Sequence, residues 1–152
     1  MTDELYARLT AIQRHKRKIK EAEEDLEVLF NQIVSPQAQR FDTDRVQSTP
    51  EDPMTEYAAR AEKQEQKIAK LREYLPKVTE QTIAFIRKAG GMEYGKMHPE
   101  RSAVLIAVYV QQKEYEQIKK EMGYSKPSLY RFRRDGLRVL EQIIAEEQQG
   151  KS

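Results

Sequence analysis

Cysteine is absent from the chain, which excludes a disulfide framework, a thiol nucleophile and thiolate metal sites. Histidine is almost absent: His15 and His98 stand far apart, and neither has a carboxylate at ligand spacing, so no metal centre and no histidine-based catalytic pair is expected. No run of roughly 18 apolar residues occurs. The opening MTDELYARLT has neither the basic start nor the apolar stretch of a signal peptide. Gly90-Gly91 is too short for a phosphate-cradling loop and reads as a helix stop. The expected class is therefore a cytoplasmic protein that is not an enzyme, with no catalytic residues, no cofactor, no metal and no membrane segment.

Hydrophobic residues make up only 38% of the 152 positions, against 34% charged ones. A large core of the kind an α/β enzyme buries is not expected, and the size suits one or two small domains with narrow cores.

Residues 3–34 contain neither Gly nor Pro, and Leu5, Leu9, Ile12, Ile19, Leu26, Phe30 and Ile33 recur in a four-three rhythm interrupted by Lys16 and Glu23. A seam of that period predicts one long helix that needs a helical partner. Residues 35–53, with three prolines and few large apolar side chains, read as a connector. A second seam follows in Met54, Tyr57, Ala61, Ile68, Leu71, Leu75, Val78 and Phe85, with Gln64 and Thr82 as polar members. Pro76 lies inside it and predicts a kink or restart. Two matching seams suit an antiparallel hairpin, yet each could equally zip to a second copy of the chain; the pattern leaves both open, and a homo-oligomer through the coiled coil is the expected state. Lys16, Glu23 and Gln64 are expected at the seam edge with their polar ends in water.

From residue 92 onward the helices shorten and punctuation increases. Pro99 suits a first turn, and Val104, Leu105, Val108 and Tyr109 form an apolar stripe. After a break at residues 111–113, a helix over 114–122 ends at Gly123, where a left-handed residue is needed. Ser125 can cap the next helix, whose apolar face runs through Leu129, Phe132, Leu137, Leu140, Ile143 and Ile144; residues 146–152 are expected to fray. The fold class is thus all-α: a coiled-coil helical arm over 1–90 and a helix-turn-helix domain over 91–152. Ile118, Met122, Tyr124, Leu129 and Phe132 have the spacing that would pin the two motif helices together.

Charge favours a nucleic-acid partner for that domain. Between residues 119 and 138 there are seven basic side chains against Glu121 and Asp135, a balance that suits DNA phosphates. Ser125, Lys126, Ser128, Tyr130, Arg131 and Arg134 stand at the start and on the outward face of the second helix, where base edges or adjacent phosphates would be met. Arg133 and Arg138 are expected to meet phosphate or solvent. The run 14–20 (RHKRKIK) is followed by EAEEDLE and reads more simply as a solvated face.

The segment YVQQKEYEQIKKEMGYSKPSLYRFRRDGLRVLEQI resembles the C-terminal helix-turn-helix of small phage and prophage transcriptional regulators related to region 4 of the sigma-70 factors. Tyr115-Glu116-Gln117-Ile118 and Met122-Gly123-Tyr124-Ser125 carry the likeness, as does Asp135-Gly136-Leu137-Arg138-Val139-Leu140, with Gly136 where the family has Ala. The helices joined by Asp44-Arg45-Val46-Gln47-Ser48 are similar to the N-terminal part of the same phage family. The resemblance implies a sequence-specific regulator of late or packaging genes in a bacterial host, with double-stranded DNA as ligand and RNA polymerase as a further partner. Lys119 departs from the small residue common at its position. Two rival functions fit the same elements: a small terminase-like DNA-packaging subunit, and a helical adaptor whose basic patch faces an acidic protein.

Overall fold

Thr10 interrupts what the sequence rhythm presents as one helix. A computed structural model describes residues 1–34 and 53–150 of the chain, and the connector, including Asp44 to Ser48, lies outside the described residues. Helix α1 spans Asp3–Leu9, capped by the Thr2 side chain, which accepts from the Leu5 amide. The Thr10 hydroxyl donates back to the Tyr6 carbonyl at 2.7 Å; such a hydroxyl competes with the helical ladder, and α2 begins afresh at Ala11–Val34. Helix α3 spans Pro53–Arg87 and runs through Pro76 with no restart, and a 3₁₀ turn at Lys88–Gly90 ends it. Helix α4 (Pro99–Leu105) passes into a π-helical turn at Ile106–Val110. Helix α5 covers Tyr115–Met122 and α6 covers Lys126–Gly150. These six α-helices, with no strand among the described residues, make the protein all-α.

The chain divides into two compact units, one of Met1–Gln13 with Lys77–Ser152 and one of Arg14–Pro76. This differs from a boundary at residue 90, and the reason is packing. Leu5, Leu9, Phe85, Ile86 and Ala89 share one apolar cluster with Leu105, Tyr109, Leu140 and Ile144, so the start of the chain and the end of α3 belong to the C-terminal core. A fully buried leucine contributes about 1.5–3 kcal/mol. Arg8 reaches Glu147 at 2.8 Å, and α6 stays helical to Gly150; the fraying expected from residue 146 does not occur within the described residues, because α1 packs along that end.

The other unit is an antiparallel pairing of α2 with α3 inside one chain. Ile19, Ala22, Ala61 and Ile68 are buried in it. Gln64 donates to the Ala22 carbonyl at 2.9 Å, so this polar seam residue joins the two helices through the backbone. Lys16 and Glu23 are exposed, as seam-edge positions should be, and Glu23 pairs with Arg72. Among the described residues no helix is long and apolar enough to cross a membrane.

Candidate nucleic-acid interface

Helices α5 and α6 meet at a turn fixed by local chemistry. Gly123 sits at φ +77°, ψ +16°, and its amide donates to the Lys119 carbonyl; a side chain here would meet the left-handed penalty of about 1–2 kcal/mol. The Ser125 hydroxyl accepts from the Ser128 amide at 3.4 Å and donates to the Ser128 hydroxyl at 3.1 Å, capping α6. Beneath the turn, Ile118 and Leu129 are fully buried with Val104 and Ala107 of the preceding segment, and Tyr115, Met122 and Phe132 pack on them. Tyr124 is 41% exposed yet meets Phe132 edge-on, with ring centroids 4.9 Å apart. Lys119 is exposed, so its length does not separate the helices.

The expected contact residues fall into three groups. Ser125, Tyr130, Arg131 and Arg134 are exposed, and the Arg134 side chain keeps 75% of its surface open, with Asp135 at 3.6 Å. Arg131 lies over the Phe132 ring at 5.5 Å, and Tyr130 stacks obliquely on Tyr115 at 4.6 Å, which orders both side chains from below. Lys126 and Ser128 stand at the N-terminal turn, half-buried and already engaged: Lys126 pairs with Glu116 of α5, and Ser128 with the cap. Arg133 and Arg138, expected at phosphate or solvent, differ: Arg138 is exposed and Arg133 only partly so. The helical period turns Arg133 inward, where it donates to the Tyr115 hydroxyl at 2.8 Å and the Tyr109 hydroxyl at 2.9 Å. Arg138 shares the outer face with Arg131 and Arg134 by its spacing, but donates to Glu93 at 2.7 Å.

Glu93 is the residue that sequence reasoning missed. It opens a tight turn in which Tyr94 and Gly95 both have positive φ and Glu93 and Lys96 exchange backbone hydrogen bonds. Its carboxylate holds both Arg138 and the buried Arg101. The order Glu-Tyr-Gly-Lys offers only Gly95 as a turn signal, because Tyr94 is not a residue that favours positive φ.

Ion pairs set the acid response. The hydrogen bond from Arg138 holds the Glu93 carboxyl below the usual carboxylate range, against some desolvation and with help from Arg101. Lys126 lowers Glu116 in the same way, and Lys113 lowers Glu121. Because these values are depressed on folding, their stabilisation is complete above the ordinary glutamate value of 4.5 and is lost as pH falls through the folded values. Thermal unfolding followed by circular dichroism is expected to show a melting temperature that drops below that pH, with Glu93→Gln flattening part of the drop. A melting temperature independent of acid would contradict these pairings.

A second measurement separates Arg133 from its neighbours. Arg133→Leu removes two hydrogen bonds, one of them to the buried Tyr109, and is expected to cost about 1–2 kcal/mol of stability. Denaturant unfolding checks it; a variant as stable as the parent would return Arg133 to the outer surface.

No family model, curated protein or solved structure matches the chain. Among the described residues no group of three or more His, Asp or Glu is placed to hold a metal ion.

Proposed function

We propose that α5, the Gly123 turn and α6 form a helix-turn-helix that binds duplex DNA, and that the protein is a phage or prophage transcriptional regulator acting in the bacterial cytoplasm. One observation carries this reading. The outer face at the start of α6 keeps Arg131 and Arg134 exposed beside Tyr130, while Leu129 and Phe132 on the opposite face anchor the helix to α5. An arginine aimed outward from a buried helix can donate two parallel hydrogen bonds to a guanine edge or to phosphate. Arg133 fills an internal role in this account, while Lys126 and Arg138 are held at the surface by Glu116 and Glu93.

The sigma-70 region 4 likeness extends the proposal to activation of late or packaging genes, with RNA polymerase as a partner. Mapping of bound DNA across the host and prophage genome, with transcript levels from the same cells, identifies the site. Arg131→Ala with Arg134→Ala is then compared with the parent on that site and on random duplexes. Equal binding of both proteins to both duplexes would remove the outer face of α6 from the account. Ring-sized assemblies that bind only phage packaging sites would move the protein to DNA packaging.

A further inference from the structure

The α2–α3 unit carries a basic groove that the α6 surface does not explain. Lys63, Lys67 and Lys70 follow one another at intervals of four and three residues on α3, which keeps them on one helix face. All three are exposed. With Gln66, Leu71 and Tyr74 of the same helix and His15 of α2 they line an open groove of about 560 Å³. Its wall is fixed: His15 Nε2 lies 2.6 Å from the Leu71 carbonyl oxygen, and the His15 and Tyr74 rings stand 5.9 Å apart. Glu62, Glu65 and Glu73, the acids of the same stretch, contribute none of the lining. The nearby ion pairs, Arg60 with Glu56 and Arg72 with Glu23, leave the three lysines out.

We propose that this groove binds the phosphodiester backbone of duplex DNA. At about 1.5 Å of rise per residue, the ammonium groups stem from points roughly 6 and 4.5 Å apart along the helix axis, a closely spaced cationic row facing a polymer that carries one charge per about 1.7 Å of duplex. Lysine acts toward phosphate as a point charge, and the Gln66 amide adds a neutral donor. An acidic protein is the competing ligand for such a row. Protein interface cores are depleted in lysine and enriched in aromatic, methionine and arginine anchors, whereas this groove has three lysines, one tyrosine and one leucine. Contact of this kind carries no base information. It stands without the α6 reading, because every residue it uses lies in the other compact unit.

The test is fluorescence anisotropy of the full chain on a labelled duplex of random sequence, over a range of salt. Each phosphate contact contributes about 0.9 to the slope of log affinity against log salt. Replacing Lys63, Lys67 and Lys70 together by Ala is expected to lower that slope by about 2–3 and low-salt affinity by about tenfold or more, with an unchanged thermal melt. The triple Lys→Arg chain should retain the parental slope. An unchanged slope in the alanine chain overturns the proposal, as does a parent chain that binds no duplex at all. Equal competition by poly-glutamate and duplex at matched charge also overturns it, in favour of an acidic protein. Arg131→Ala with Arg134→Ala is run alongside: loss of random-duplex binding in the lysine variant alone supports the groove and leaves α6 to its own test on the specific site, and loss in the arginine variant alone overturns the groove.

Discussion

Leu105→Ala is expected to lower the unfolding free energy by about 2–5 kcal/mol, and adding Gly136→Ala should restore part of that loss. Leu105 is fully buried in the main cluster, so truncation leaves a cavity that the flanking helices fill only in part. The cause of the coupling is a close approach of α6 to α4. A Cβ placed on Gly136 would lie 2.8 Å from Leu105 Cδ1 and 3.5 Å from Arg101 Cβ. Gly136→Ala by itself gains up to about 1 kcal/mol of helix propensity, yet it pushes on a leucine that has no free space to enter, and overpacking of that kind costs about 1–3 kcal/mol. Once residue 105 is alanine, the contact disappears and the new methyl group occupies part of the cavity. Denaturant unfolding of the parent, both single variants and the double variant gives the interaction energy, expected to exceed about 1 kcal/mol in the favourable direction. Additive values would mean that α4 and α6 do not meet at this glycine.

On the proposed helix-turn-helix reading, Arg131→Ala with Arg134→Ala is expected to have the largest functional effect: a loss on the order of a few hundredfold in affinity for the specific site. An arginine contact to a base edge is worth about 1–3 kcal/mol, and a phosphate contact adds to affinity and to the salt slope. Two such contacts at about 1.7 kcal/mol each reach that range. Both side chains are exposed, so the melting temperature should hold, which separates this result from Arg133→Leu, expected to soften the fold and leave recognition intact. Affinity lost equally on random duplex would assign both arginines to phosphate; affinity kept on the specific site would refute groove entry by α6.

Helix type and most stops were legible because they depend on local chemistry. Pro99 at the first turn, Gly123 after α5 and Ser125 as a cap each perform a task that few other residues can. Leu5, Leu9, Ile12, Ile19, Ala61, Ile68 and Phe85 are buried as their period required, whereas Phe30 of the same rhythm is exposed. Thr10 was not legible as a break, because the apolar rhythm continues through it while the hydroxyl turns back on Tyr6. Pro76 suggested a kink or a restart, and the helix runs through it without a restart. The fate of each arginine was hidden for a different reason: a charge count cannot separate Arg134, which faces outward, from Arg133, which faces two tyrosine hydroxyls one helical step away. Arg138 required knowledge of Glu93, 45 positions distant, and no local pattern links them.

The docking of α1 along the far end of α6 has a consequence for how the chain is made. Leu5 and Leu9 find their neighbours Leu140 and Ile144 only after those late residues have left the ribosome, whereas the α2–α3 pairing lies within residues 14–76. Closure of so long a loop is slow compared with a local hairpin. A nascent chain arrested before Leu140 would therefore hold an assembled hairpin and an undocked α1, whose leucines would be open to chaperones until Leu140 and Ile144 emerged.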